Sequence, residues 1–427
     1  MDTKDPQIDP ANGATLHTKR NEAFQAGREP LSQLPDLQPR HARITGPLSF
    51  RNPTTAQYHI NSGATDEDSL KTADKRQNVS PGVNYKWTSR NNRKGRHAIS
   101  IDPKAQAAGT ANKLPRSTSS FSAIVHGIVR MFTYYPVWDV SYLVATIFTL
   151  GSVIWVFNAF FVYLPLQVPS SEFSTEILYG GGITAFIGAT VFVIGSFLLM
   201  AEAINESRTG CFGWALEQLD EQLITHLHPD KSTCVHHHAN KRNLVGQSTQ
   251  SSDSSSHPSS DPNSASDKTW IWWPSWYDLR THHLHSLGFL ASLSQLLGAS
   301  IFWIAGLTAL PGIYNHMSPG LTDGIYWTPQ VVGGTGFVVS GVLFMLETQR
   351  KWWLPAPGVL GWHIGLWNLI GGVGFTLSPA FGYDTHSWAE YQAALSTFWG
   401  SWAFLIGSAV QWYESLEKFP VEHSDLD

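Results

Sequence analysis

One pattern occurs three times in this chain, each time in an apolar stretch that ends in a glutamate. The segments 187–202, 332–347 and 399–414 share Gly-x-x-x-Phe-x-[Ile/Val] followed by two small residues, with the glutamate fourteen residues after the glycine. These steps keep the shared residues on one side of a helix, because successive helical residues turn by about 100°. We call this row the repeat stripe, and its members are Gly188, Phe192, Glu202, Gly333, Phe337, Glu347, Gly400, Phe404 and Glu414.

A second apolar segment precedes each copy and carries a pattern of its own. Each of these segments has Leu or Ile, then glycine, then an aromatic residue four positions after the glycine. The unit that repeats is therefore predicted to be a hairpin of two helices. The glycine and aromatic pairs are Gly151 and Trp155, Gly298 and Phe302, and Gly371 and Phe375.

Six apolar runs are long enough to cross a bilayer, although the mean hydropathy of the whole chain is only −0.13. None of the six contains Lys, Arg, Asp or Glu, and a spanning helix needs about 20 residues. The sequence predicts an all-α membrane protein with six transmembrane helices arranged as three tandem helical hairpins, in contact with the lipid bilayer. The runs are 140–164, 179–201, 286–310, 329–346, 359–377 and 393–413.

The basic residues alternate from one side of the predicted membrane to the other. All 28 Lys and Arg lie before span one, between spans two and three, between spans four and five, or after span six. The loops 165–178, 311–327 and 378–392 contain none. This positive-inside pattern predicts an integral membrane protein with both termini cytosolic, and it does not resolve plasma membrane from endomembrane.

Composition divides the remaining chain into polar and amphipathic segments. The Ser-, Asn- and charge-rich N-terminus predicts a disordered tail, and an apolar stripe at helical spacing after it predicts a helix lying in the membrane interface. The predicted units are a disordered cytosolic tail 1–117, an interfacial amphipathic helix 118–137, membrane hairpins 138–202, 285–348 and 356–416, a cytosolic loop 203–284 with a helix at 212–228 and a Ser-rich linker, and a cytosolic C-terminal tail 417–427.

The three glutamates of the repeat stripe admit two interpretations. In one, the hairpins surround a pseudo-threefold axis and the carboxylates form a ring at the cytosolic mouth that attracts cations. In the other, each glutamate ends its span at the water boundary, where Glu347 pairs with Lys351 and Glu414 pairs with Lys418 at i,i+4.

Other polar residues yield candidates but no recognisable catalytic centre. Neutral polar groups within spans either contact a substrate or form hydrogen bonds across helices. The histidines at 236–238 and at 282, 283 and 285 lack a clear metal-ligand spacing, so no metal and no cofactor is predicted. Hydrolase, nucleotide-binding and nucleic-acid-binding motifs are absent, which predicts neither an enzyme nor a nucleic-acid partner. The candidates within spans are Asn158, Gln295, His363 and Asn368.

Several segments resemble a family of fungal multi-pass integral membrane proteins of unknown function. The similarity covers about 130–422 and includes WDVSYLVATIFTLGSVIWVFNAFF, YWTPQVVGGTGFVVSGVLFMLETQ and LSTFWGSWAFLIGSAVQWYESLEK. The last hairpin also resembles the small bacterial YrhK-like two-helix domain. Neither resemblance implies an activity or identifies functional residues.

These observations predict a membrane scaffold or organiser that binds cytosolic proteins through 1–117 and 203–284. The alternative is a small-solute or ion transporter or channel. A dry, closed bundle would favour the scaffold, whereas a continuous polar path between hairpins would favour transport. The sequence leaves the oligomeric state open.

Overall fold

The computed structural model describes residues 40–59, 83–101, 115, 117–206, 214–219, 224–229 and 270–423. Within these residues, six helices are long and apolar enough to cross a membrane, which confirms the predicted fold class. The six are α3, α4, α6, α8, α9 and α10. In chain order the helices are α1 (Ser89–Arg93), α2 (Phe121–Thr133), α3 (Val140–Gln167), α4 (Gly182–Ile204), α5 (Trp276–Thr281), α6 (Leu287–Thr308), α7 (Pro319–Thr322), α8 (Thr328–Thr348), α9 (Leu360–Gly382) and α10 (Ser387–Leu416).

The six long helices form a closed ring. Each packs against the next along the chain, and α10 completes the ring by packing against α3. This arrangement is consistent with three tandem hairpins: α3 with α4, α6 with α8, and α9 with α10. Helices α4, α8 and α10 all end at the same end of the bundle, and each has its repeat glutamate there. We call this end of the bundle the glutamate end.

Aromatic side chains fill the middle of the bundle. The rings of Trp155 and Phe375 lie 4.9 Å apart, and those of Phe192 and Phe404 lie 5.6 Å apart, both edge to face. Such pairs add about 0.5–1.5 kcal/mol each beyond the area they bury. Each hairpin contributes one aromatic residue from its first helix and one from its second. This aromatic cluster consists of Trp155, Phe192, Phe302, Phe337, Phe375 and Phe404.

Glycines on the repeat stripe bring the helices close together. A methyl group on Gly333 would lie 2.6 Å from the carbonyl oxygen of Gly298 in α6, and one on Gly298 would lie 2.8 Å from that of Gly333. At the equivalent positions, a methyl group on Gly188 would lie 2.9 Å from the ring of Trp155, and one on Gly400 would lie 3.1 Å from the ring of Phe375 and 3.2 Å from the carbonyl oxygen of Gly371. The contact at Gly333 is the least adaptable of the three, since backbone cannot rotate away as a side chain can.

The protein also contains a five-stranded sheet. Its first four strands lie within 1–117, the segment predicted as a disordered tail. That prediction is wrong for 40–59 and 83–101, and the rest of 1–117 lies mostly outside the described residues. Short strands were missed because four to six residues give only a brief alternation, as in the buried Ala56 and Tyr58. The order β1-β2-β3-β4-β7 joins β1 (Arg40–Thr45), β2 (Thr55–His59), β3 (Val83–Thr88), β4 (Ala98–Ile101) and β7 (Val421–His423).

The last strand of this sheet comes from the opposite end of the chain. Strand β7 follows α10 directly and pairs with β4 in parallel, whereas the other neighbours are antiparallel. The N-terminal sheet is therefore completed only by residues that lie beyond the sixth spanning helix.

The predicted helix at 212–228 is wrong. The chain instead forms β5 (Trp214–Leu219) and β6 (Ile224–Pro229), which pair antiparallel. The register places Leu216 opposite Leu227, and Leu219 opposite Ile224. Leucines that share one side of a hypothetical helix can equally face each other across a hairpin, so their spacing alone did not distinguish the two structures.

Helix α2 has the amphipathic character that the sequence predicts for 118–137. Its apolar residues, including Phe121 and Phe132, are largely exposed in the isolated chain. The opposite side packs on the bundle, where Arg130 donates a hydrogen bond to the carbonyl oxygen of Leu416 at 2.8 Å. The exposed apolar side is suited to the membrane interface beside α10.

We expect Gly333→Ala to destabilise the bundle by about 1–3 kcal/mol, because the added methyl group overlaps the backbone of α6. Thermal unfolding in detergent measures the effect. Gly324→Ala is the matched control, since a methyl group there meets nothing within 4 Å. Equal unfolding temperatures for the two variants would contradict a close contact at Gly333.

Candidate functional site

The three glutamates of the repeat stripe converge at the glutamate end. Glu202 is 0 % exposed, and Glu347 and Glu414 are each 2 % exposed. Three carboxylates in so dry a place would be strongly unfavourable without cations beside them. The structure places those cations on a segment that is distant in sequence.

Helix α1 carries the cations into the bundle. Thr88 caps its N-terminus by accepting a hydrogen bond from the backbone N–H of Asn91 at 3.0 Å. Arg90, Arg93 and Lys94 are three and four residues apart and so lie on one side of this turn. Gly95 then adopts a left-handed conformation with φ of 59°, which ends the helix.

Two arginines form bidentate ion pairs, each with a different glutamate. Arg90 donates to Glu414 at 3.0 and 2.6 Å, and Arg93 donates to Glu347 at 2.6 and 2.9 Å. Arg96 adds a further hydrogen bond to Glu414 at 3.1 Å. The planar guanidinium matches both carboxylate oxygens at once, which makes such pairs stronger and more directional than lysine pairs.

The third glutamate is held less directly. Glu202 Oε1 lies 3.5 Å from Arg93 Nε and 3.8 Å from Lys94 Nζ. Among the described residues, neither the Glu202 carboxylate nor Lys94 Nζ makes a hydrogen bond. Burial lowers the pKa of Lys94 to about 8, although Glu202 opposes the shift. We call Glu202, Glu347, Glu414, Arg90, Arg93, Lys94 and Arg96 the charged cluster.

The predicted i,i+4 pairs at the water boundary are wrong. Glu347 binds Arg93, and Glu414 binds Arg90, so their charges are balanced inside the protein. Lys418 instead pairs with Asp139 at 2.5 Å, and Lys351 lies over the ring of Trp353.

A small cavity of about 30 Å³ lies between the charged cluster and the aromatic cluster. A volume of this size can hold a water molecule, provided that polar groups line it. Three cations of the charged cluster contribute to its wall. The spanning helices contribute the other lining residues, namely Phe148, Leu199, Gln295, Ser340, Phe344, Ile364, Asn368 and Gln411.

The structure brings only two of the four polar candidates within spans to the same cavity. Gln295 and Asn368 both line the cavity, and Asn368 donates to the carbonyl oxygen of Ile364 at 2.8 Å. Asn158 lies far along α3, where it donates to the carbonyl oxygen of Gly181 at 2.6 Å. A ring nitrogen of His363 lies 2.7 Å from the carbonyl oxygen of Pro357 in the preceding loop.

The cationic half of the charged cluster was not predicted from the sequence. The available signal was four basic residues within seven positions, at Arg90, Arg93, Lys94 and Arg96. The three- and four-residue spacing of Arg90, Arg93 and Lys94 matches one side of a helix. The surrounding polar composition concealed this signal, because basic residues in such segments are usually solvated.

Comparison of the chain with protein-family models, curated proteins and solved structures finds no match. The resemblance to fungal membrane proteins and to the YrhK-like domain therefore remains a prediction.

We expect Glu347→Gln to destabilise the protein by about 3–5 kcal/mol, because it removes the charge of the carboxylate that accepts both hydrogen bonds from the buried Arg93 guanidinium. Unfolding of the purified protein in detergent measures this loss. Glu422→Gln is the matched control, since Glu422 pairs with Lys86 but is 43 % exposed in its side chain. The control should change stability by less than about 1 kcal/mol. Similar losses of stability in both variants would contradict the view that burial makes the Glu347–Arg93 ion pair more important than an exposed one.

Proposed function

We propose that this chain is a membrane scaffold whose six-helix bundle anchors a β-sheet at one face of the bilayer. The observation that carries the proposal is the aromatic cluster, which fills the ring of helices with six large side chains. An aqueous path along the axis would have to displace these contacts. A tightly packed centre supports a role in anchoring the sheet rather than in the passage of a solute or ion.

The charged cluster supports the same proposal, because it fixes the sheet to the bundle. Helix α1 directly follows β3, so its ion pairs with Glu347 and Glu414 hold the sheet at the glutamate end. Strand β1 is an edge of the sheet, and edge strands can pair with an added strand from a partner. Segments 1–117 and 203–284 then supply the contacts to cytosolic proteins.

The alternative function, transport of a small solute or ion, has one observation in its favour. The cavity beside the charged cluster is lined by Gln295, Asn368 and Gln411 as well as by cations, and such groups can bind a solute. The aromatic cluster lies next along the bundle and separates the cavity from the far end. Transport would therefore require a second conformation in which the aromatic cluster opens.

We further propose that the glutamate end faces the cytosol, because every Lys and Arg flanks that end of the spans. Single cysteines at Ser170, Asn315 and Thr385, in a background with Cys211→Ser and Cys234→Ser, test this. A membrane-impermeant maleimide should label these three sites from the non-cytosolic side of sealed vesicles. Ser49→Cys should be labelled only from the cytosolic side, and the opposite pattern would contradict the orientation.

The flux of potassium, protons and chloride through purified protein in liposomes separates scaffold from transporter. We expect none above empty vesicles, because the aromatic cluster closes the bundle. A protein-dependent flux would contradict the scaffold. Asn368→Leu, which fills part of the cavity, should then abolish that flux, whereas Phe157→Leu on the exposed side of α3 should not.

A further inference from the structure

A second group of ligand-type side chains lies at the glutamate end, separate from the carboxylates of the charged cluster. Glu206 comes just after the end of α4, and His282 and His283 follow α5 directly. One carboxylate oxygen of Glu206 and one ring nitrogen from each histidine all lie within 4.8 Å of one another. Three donors from two distant parts of the chain thus point to one place.

The three side chains are shielded from solvent to different degrees. His283 is 1 % exposed, and its ring lies 4.9 Å from that of Phe289. The side chains of His282 and Glu206 are 17 % and 12 % exposed, and His282 Nε2 contacts Glu206 Oε1 directly. The group is therefore sheltered, but one side remains accessible to a small ion.

Hydrogen bonds from neighbouring segments position the donors. The side chain of Asn205 donates to the carbonyl oxygen of Ile271 at 2.7 Å and accepts from its backbone N–H at 2.7 Å, which joins the end of α4 to the segment containing α5. Asn52, in the β1–β2 connection, donates to the carbonyl oxygen of His282 at 3.1 Å. Three parts of the fold therefore meet at the donors.

We propose that Glu206, His282 and His283 bind a divalent transition-metal ion of the zinc type. Two imidazoles and one carboxylate form a donor set that zinc accepts, with bonds of about 2.0–2.2 Å and a fourth position for water or another ligand. Rotation of three side chains already within 4.8 Å of one another suffices to reach that geometry. Imidazole donors favour zinc over magnesium or calcium, which prefer oxygen ligands.

Asn52 holds His282 in position. Its Nδ2 donates to the carbonyl oxygen of His282 at 3.1 Å and lies 3.4 Å from Nδ1 of the same residue. A neighbouring side chain that restrains a ligating histidine is a common feature of metal sites.

The bound ion would join the end of the first membrane hairpin to the entry of the second hairpin. Asn52 then connects this place to the N-terminal sheet through its hydrogen bond to His282. Adjacent histidines did not suggest this site in sequence, because the third donor lies 76 residues earlier than His282.

Cobalt binding to the full-length protein in detergent tests the proposal, since tetrahedral Co²⁺ has a distinctive absorption that Zn²⁺ abolishes by displacement. His236, His237 and His238 are replaced by alanine in every sample, so that this tract does not bind the probe. We expect one Co²⁺ per chain. Glu206→Gln and His282→Ala should each weaken binding about tenfold or more.

His285→Ala is the matched control, because His285 follows in the same turn but is outside the donor set. It should bind cobalt as the parent does. Zn²⁺ should also raise the unfolding temperature of the parent and of His285→Ala, because a ligand of the folded state stabilises it. The metal-free unfolding of all variants confirms that they fold. No cobalt absorption in the parent, or equal binding by all folded variants, would overturn the proposal.

Discussion

The mutual burial of arginine and glutamate at the glutamate end is the interaction on which the rest of the structure depends. Neither partner can enter this dry environment alone, because removing an unpaired charge from water costs several kcal/mol. The carboxylates of α8 and α10 therefore require α1, and α1 requires the assembled bundle. This dependence makes the short helix, only five residues long, a structural part of the membrane domain.

The same dependence couples the two ends of the chain. Arg90 and Glu414 are separated by 324 residues, and β7 completes the sheet only after α10 has been made. The ion pair of Arg90 with Glu414 and the last strand of the sheet can therefore form only once α10 is present.

The spans and the repeat stripe were predictable because both are local. Eighteen or more apolar residues specify a membrane helix, and fixed steps from Gly188 to Glu202 specify one side of it. The partners of the glutamates were not predictable. Arg93 is 254 residues from Glu347, and no local sequence pattern indicates a contact over that separation. The strands were missed for a different reason: β4, at four residues, is shorter than any reliable alternation.

One asymmetric helix contacts all three copies of the sequence pattern, and the copies differ where it docks. The cavity wall contains Asn368 and Gln411 from the third hairpin, Gln295 and Phe344 at the same repeat positions in the second, and Phe148 and Leu199 in the first. The ion pairs follow this order. Glu414 receives hydrogen bonds from Arg90 and Arg96, Glu347 receives them from Arg93, and Glu202 makes none among the described residues. Polar side chains are thus most numerous where the glutamate receives the most hydrogen bonds, because a buried charge is more stable beside polar groups than beside apolar ones. The unequal contacts of α1 with the three glutamates therefore match the differences among the copies at the cavity.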